Sequence, residues 1–387
     1  LSNRSSAEIR IIVWGLAFRV WSAVLACLAN IVFASYQPDQ FPSPFGGSAF
    51  FDPFIRYDSG NFFQIARFGY TAGPMAYVAG GRSSIAYLPV YPLLMRWVGR
   101  LFGHAPADYY YGGIVVSWTA FLLAMVVLYR LATLDLPAPQ AERAVVLTAV
   151  FPFAFFFGVV YTESTFLLFT LLAFYGFRTR HWIAGGLAGG LATATRVNGL
   201  MMLPALAWIA WRTAAPTRRD RGLALGGLLL AAAGLGAYSF YIFRITGDPL
   251  EWAKALQRWG YYPGGAPWMA PVHLVRALAT HPYAYVAGER MAPYDTLNGI
   301  TALAFAAAVP FVWVRFGAGY GLFVLANLWL PLSSGQFEGL GRYCAVLFPA
   351  FIWLGSWAGR RSSGAVVVFA SLYTLCLALF TKIYPLF

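Results

Sequence analysis

An all-α, polytopic membrane protein is what this sequence predicts, on three observations. Of its 387 residues, 60% are hydrophobic and only 11% charged, with a mean hydropathy of +0.63, a balance that soluble globular domains do not sustain. The apolar residues fall in long runs, several near the roughly 20 residues needed to carry a helix across a bilayer. The runs do not alternate polar with apolar positions, which excludes a membrane barrel and leaves the helix as the crossing form.

About eleven transmembrane helices follow, at 10–34, 109–132, 143–160, 164–178, 182–196, 199–211, 223–244, 296–314, 317–333, 343–358 and 364–381. Together they make residues 1–387 a single integral membrane domain. The arginines of the short connections, Arg4, Arg10, Arg130, Arg143, Arg178, Arg180, Arg212, Arg218, Arg219, Arg221, Arg315, Arg360 and Arg361, all land on one side, which the positive-inside rule makes the cytoplasm. The N-terminus is therefore cytoplasmic. Two long loops, 36–108 and 245–295, and short turns near Glu163, Arg196 and Gln336 face outward. The net charge of +13 expresses this topology plus attraction to membrane lipids; with no continuous basic patch, nucleic acid is not a partner. Cys27, Cys344 and Cys376 all lie inside spans and read as small buried hydrophobes, not as a disulfide or zinc framework. The chain opens on Leu1, as a trimmed or processed protein would, and its first run is too long for a cleaved signal sequence, so it is expected to remain as a helix.

Most of the fourteen acidic residues fall on the outer side, so any chemistry is expected there. The first outer loop contains FPSPFGGSAFFDPF and SIAYLPVYPLLMRWVGRLFG, too apolar to face water, and is expected to lie on or dip into the bilayer. Within it RYDSGNFFQIARFGY, Arg56 to Tyr70, predicts a short interfacial helix near 60–68 with Asp58 or Ser59 at its N-cap, and a second helix is expected from Pro89 to Leu101. An aspartate before a helix is often only a cap. On position alone that role is favoured for Asp58 over a catalytic one; its company shifts the balance.

Glu163 in VVYTESTF and Arg196 with Asn198 in LATATRVNGL occupy two outer turns, and Arg342 in GLGRYCAV opens the tenth span. A guanidinium near the hydrocarbon boundary is costly unless paired or bound to an anion. Arg196 and Arg342 are thus candidates to grip a lipid phosphate, with a structural ion pair, Arg196 to Glu163, as the plainer alternative. The second outer loop begins with a turn at Gly247, Asp248 and Pro249 and a helix over 250–259; Gln257 and Trp259 are its site candidates, while most of its tryptophans and tyrosines read as interfacial anchors. His273 and His281 have no clustered carboxylates, so a metal site is not expected. No phosphate-binding glycine loop, dinucleotide fingerprint, zinc-protease or nucleophile-elbow motif occurs. The run AGGLAGGLA reads as close helix packing.

RYDSGNFFQIARFGY followed by IAYLPVYPLLMR resembles the signature of the PIG-V type mannosyltransferases, and YTES, ATRVNG, GDP and GRY follow in that family's order over nearly the whole chain. The resemblance implies a C-type glycosyltransferase (GT-C) fold with the catalytic carboxylate, Asp58, in the first outer loop, a polyprenyl-phosphate sugar donor, most simply mannose, and inversion at the anomeric carbon. Tyr57 and Asn61 depart from the family's usual residues beside the base, which leaves donor and acceptor identity open. Independently, the short basic cytoplasmic loops have no room for a nucleotide-binding domain, so an activated sugar must arrive on a lipid. The expected reaction moves a mannosyl or related residue to an acceptor hydroxyl of a lipid or glycan, with Asp58 as base, Arg196 and Arg342 on the phosphate, and Glu163 orienting an arginine or the sugar. No cofactor is required, though a divalent cation at the phosphate stays open. The alternatives are a lipid-linked sugar flippase or transporter, which would use midspan charges such as Arg19, and a noncatalytic scaffold subunit. Abundant Ala, Gly and Arg with few Lys point to a bacterial source, making the outer side the periplasmic face of the inner membrane.

Overall fold

The computed structural model describes residues 2–36, 43–260, 265–283, 293–357, 360–384 and 386, and among these every regular element is helical. Parts of both outer loops, at 37–42, 261–264 and 284–292, lie outside the described residues.

Five helices are long and apolar enough to cross a bilayer, and they lie within α1 (Ser2–Val32), α4 (Pro106–Ala132), α9 (Arg218–Thr246), α12 (Pro293–Phe316) and α16 (Arg360–Thr381). Between them run shorter helices: α5 (Ala138–Ala149), α6 (Glu163–Arg178), α7 (Trp182–Thr193), α8 (Leu203–Thr213), α13 (Ala318–Leu332), α14 (Leu340–Ala345) and α15 (Phe348–Gly355). The chain is a multi-pass membrane protein.

Three expected spans are not continuous helices. The run 143–160 stops as α5 at Ala149 and resumes as a 3-10 turn, Ala154–Phe157; 199–211 opens with a 3-10 segment, Val197–Met202; and 343–358 divides into α14 and α15. Pro152 lies in the first break, and Pro204 and Pro349 sit in the first turns of α8 and α15. Proline lacks an N–H and clashes with the preceding turn, so each restarts a helix rather than continuing one.

The AGGLAGGLA run packs α7 against α9 with little between the backbones. A Cβ on Gly186 would meet the Gly227 backbone, and one on Gly234 would overlap the Gly190 carbonyl. The main core centres on FPFAFFFG. Phe153, Phe155, Phe156 and Phe157 are all buried, and Phe151 meets Phe305, Phe351 and Phe369 edge-on.

Between α1 and α4 the chain forms both helices expected there, α2 (Ser59–Phe68) and α3 (Val90–Gly99). Arg96 of α3 donates to the Ile65 carbonyl at 2.9 Å and to that of Ala66, tying α3 to the last turn of α2. From the second loop come α10 (Glu251–Arg258) and α11 (Met269–Thr280), with α10 against the 84–86 turn through a separate apolar cluster that includes Ile85, Tyr238 and Trp252.

Candidate functional site: a carboxylate and guanidinium cluster

The RYDSG segment is shaped to aim one carboxylate. Arg56 is buried and donates to the carbonyls of Asp52 at 2.6 Å, Ile55 at 2.9 Å and Thr381 at 3.2 Å, pinning the loop to the end of α16. Tyr57 is held at φ 51°, a left-handed conformation uncommon for a side chain of its size, with its ring against Phe380. Ser59 closes the turn by donating to the Arg56 carbonyl at 2.8 Å.

Asp58 therefore occupies the N-cap position of α2 but makes no cap hydrogen bond. The capping role that its sequence position favours is not the one its side chain takes. Its Oδ2 accepts from Arg342 Nη1 at 3.0 Å and its Oδ1 from the Tyr87 hydroxyl at 3.1 Å, while its own N–H donates to the Tyr161 hydroxyl at 3.3 Å. The side chain stays 18% exposed, so one edge is open to a reactant.

Glu163 is the hub of the cluster. It is the first residue of α6, where the helix dipole favours an anion, and it is fully buried. Its Oε1 pairs with Arg342 Nε at 2.6 Å and also with Arg196 Nη1. Its Oε2 is buried and has no hydrogen-bond partner among the described residues, which leaves an acceptor for a ligand hydroxyl. The paired charges make the group of Asp58, Glu163, Arg196 and Arg342 formally neutral.

Arg196 also donates to Thr162 Oγ1 at 3.0 Å and to Asn198 Oδ1 at 3.3 Å, and Asn198 in turn donates to Asn327 Oδ1 at 3.2 Å. Aromatic faces complete both guanidinium sites: Arg196 lies 5.1 Å from the Tyr343 ring, and Arg342 lies 5.1 Å from Tyr161 and 5.5 Å from Phe156. Each residue of GRY thus has a task. Gly341 lets α14 approach the Phe153 ring, where a Cβ would collide, and its N–H donates to Asn298 Oδ1 at 2.7 Å; Arg342 reaches the carboxylates; Tyr343 lies under Arg196.

Of the residues expected from sequence, the fold brings together Asp58, Glu163, Arg196, Asn198 and Arg342, with Tyr57 framing the loop. Asn61 reaches the group through Tyr87, donating to its hydroxyl at 2.9 Å. Trp259 stands edge-on to Tyr87 with ring centroids 5.9 Å apart, and its indole N–H is taken by the Ser83 carbonyl at 3.1 Å. Gln257 is exposed on α10, outside the cluster. Tyr87, Tyr161, Thr162, Asn327 and Tyr343 are participants that the sequence reading missed. The isolated amide of Asn327 in an otherwise apolar helix was a usable signal. Among the described residues no group of three or more His, Cys, Asp and Glu side chains could hold a metal ion.

Arg19, the midspan charge, is fully buried elsewhere, with its guanidinium 4.2 Å from the Phe121 ring and 4.9 Å from Phe18, donating to the Ala154 carbonyl at 3.3 Å. Its Nε and Nη2 find no hydrogen-bond partner among the described residues.

No family model matches the chain, and no curated protein matches its sequence. Solved structures do match. The structure of ArnT from Cupriavidus metallidurans bound to undecaprenyl phosphate is 13% identical, with a TM-score of 0.54 over 96% of this chain and 76% of that one. The apo oligosaccharyltransferase of Archaeoglobus fulgidus is 12% identical, with a TM-score of 0.48 over 97% of this chain and 56% of that one. The ArnT likeness shows a shared architecture: the chain has the fold of the C-type glycosyltransferases.

Proposed function

We propose that the chain is an inverting glycosyltransferase that moves a mannosyl or related residue from a polyprenyl-phosphate donor to an acceptor hydroxyl, on the periplasmic face of a bacterial inner membrane. The observation that carries this reading is the state of Asp58. Its carboxylate is not used to cap its helix, and it is held 3.0 Å from Arg342 in a neutral cluster on a C-type glycosyltransferase fold.

In the proposed reaction the acceptor oxygen attacks C1 of the sugar from the face opposite the phosphate as its proton passes to Asp58. The C1–O bond to phosphate breaks, its electron pair stays on the leaving polyprenyl phosphate, and the anomeric configuration inverts. General-base assistance of this kind is worth about 10² to 10⁴-fold. The leaving phosphate gains negative charge, which Arg342 and Arg196 would stabilise in a water-poor recess. Glu163, held between them, fixes both guanidiniums, and Asn198 steadies Arg196. Tyr57 sets the backbone that aims the base. Trp259, beside Tyr87, offers apolar surface to an acceptor glycan or lipid, and Gln257 lies exposed on α10, just before it.

A divalent cation is not needed in this scheme, because Arg342 already supplies positive charge between the Asp58 and Glu163 carboxylates. Transfer is expected to persist in a chelator.

The test is incubation of purified protein with radiolabelled polyprenyl-phosphate mannose and a lipid extract. Labelled product from the wild type but not from Asp58→Asn is expected. Undiminished product from Asp58→Asn would remove Asp58 from the mechanism, and movement of the donor across vesicles without transfer would favour a flippase.

A further inference from the structure

We propose that Tyr87 is the positioning residue for the Asp58 carboxylate and that Asn61 sets the direction of its hydroxyl, so that Oδ2 is the oxygen that takes the acceptor proton. The proposal rests on the reading of Asp58 as base. A carboxylate that serves as a base must keep one oxygen turned to the substrate while the other is tied. Both oxygens of Asp58 are bonded here, to unlike partners: Oδ2 to Arg342, whose guanidinium a phosphate would draw away, and Oδ1 to Tyr87, whose neutral phenol attracts a phosphate far less than a guanidinium does. Tyr87 is the tether that would keep the carboxylate aimed once Arg342 turns to the donor.

The sense of the tether is fixed by the neighbouring amide. A phenol has one proton to give. Asn61 Nδ2 donates to the Tyr87 oxygen at 2.9 Å, so that oxygen accepts on one side and its proton is directed to Asp58 Oδ1 at 3.1 Å. Asn61 lies in the first turn of α2, close behind the base, whereas Tyr87 arrives from a different segment of the loop.

Four side chains surround Tyr87 and hold it in place. Its carbonyl accepts from the Tyr70 hydroxyl at 2.8 Å, and the Tyr238 hydroxyl, 3.4 Å from that carbonyl, donates to the Ile85 carbonyl next to it at 2.7 Å. Its ring is edge-on to Phe62 of α2 at 5.6 Å and to Trp259 beyond α10 at 5.9 Å. All of these contacts involve the backbone or the ring, so Tyr87→Phe keeps them and deletes only the hydroxyl.

The experiment is steady-state kinetics of Tyr87→Phe, Asn61→Ala and the double variant across pH, with Asp58→Asn alongside, using radiolabelled polyprenyl-phosphate mannose and the lipid extract. Losing a hydrogen bond to an ionised group lowers kcat by about ten- to a hundredfold, with little change in donor KM. The acid limb of kcat/KM is expected to move to higher pH, because the ionised base loses a donor. Asn61→Ala is expected to shift the limb the same way by less, and to add nothing to Tyr87→Phe, since both act through one hydroxyl. A Tyr87→Phe protein with the wild-type kcat and acid limb, or losses that multiply in the double variant, would overturn the proposal. Should Tyr87→Phe fold poorly, Asn61→Ala decides alone: an unmoved acid limb overturns it. If Asp58→Asn remains active, the base assignment is what fails; if Asp58→Asn is dead while Tyr87→Phe behaves as wild type, the positioning role is what fails.

Discussion

Replacing Glu163 by glutamine isolates what holds the cluster together. The substitution keeps the volume and an acceptor oxygen but removes the charge that one carboxylate shares between Arg196 and Arg342. At an effective dielectric of about 20, a pair of unit charges about 4 Å apart is worth roughly 4 kcal/mol. Removing one member of a buried pair characteristically costs about 3–5 kcal/mol, because the partner is left charged and desolvated. Glu163 is fully buried, so little of this is recovered from water. Removing Arg196 as well, in Glu163→Gln with Arg196→Met, leaves the Asp58–Arg342 pair and restores neutrality. The double variant is expected to be more stable than the sum of the singles by about 1–3 kcal/mol. Thermal unfolding in detergent, followed through the fourteen tryptophans, gives the order: wild type highest, the double variant between, the singles lowest. If Glu163→Gln melts with the wild type, or if the two changes simply add, the carboxylate is not the clamp described here.

Three other outcomes follow from the same geometry. Gly341→Ala drives a Cβ into the buried Phe153 ring; overpacking of this kind costs about 1–3 kcal/mol, and because the next residue is Arg342, transfer should fall more than the melting temperature, so a fully active, fully stable variant would refute the close-approach argument. Asp248→Asn should leave melting at neutral pH unchanged, since the Asp248–Lys254 pair is exposed. Lys254 and the Leu250 N–H hold the Asp248 carboxyl below its ordinary 3.8, and Asp248 raises Lys254 above its ordinary 10.5, so any contribution is present between those values and is lost as pH falls through the first or rises through the second. Arg19→Met should melt at or above the wild-type temperature, because exchanging a buried guanidinium, two of whose nitrogens find no hydrogen-bond partner among the described residues, for an apolar side chain of similar length is neutral or stabilising; a sharp fall would show that its aromatic contacts outweigh its desolvation.

Hydropathy located the five helices long and apolar enough to cross a bilayer, because burial in lipid is read directly from composition, and the loop motifs placed α2, α3 and α10 to within a residue or two. It ran through Pro152, Pro204 and Pro349 because an average over a window does not register one missing N–H. The cluster was legible as a set of outer-turn residues but not as a bonded group: Asp58 and Arg342 are 284 positions apart, and local periodicity carries no information across that separation. For the same reason the cap reading of Asp58 lost. A cap is a local bond, and a guanidinium arriving from α14 offers the carboxylate a stronger one. Tyr87 escaped notice because an isolated tyrosine in an apolar loop reads as an interfacial anchor.

The broken helices and the buried charges explain one another. At 1.5 Å per residue α6 is about 24 Å long and α7 about 18 Å, both short of the roughly 30 Å hydrocarbon thickness. Their far ends are tied where Arg178 pairs with Asp135 and Arg180 with Asp220, and Glu163 and Arg196, both buried, lie at or just beyond the opposite ends of these short helices. Helix ends that stop inside the bilayer leave backbone groups that must find partners in protein, and a guanidinium there cannot shed its proton. Neutrality must come from carboxylates, and Arg342 accordingly holds two. In the proposed reaction a donor phosphodiester would bring one negative charge into this neutral group and compete with Asp58 for the same guanidinium. On the proposed reading, the exchange that would seat the phosphate would also free Asp58 Oδ2, so the base would become available only after the donor is bound, and the proton would be drawn from an acceptor only when there is a sugar for its oxygen to attack.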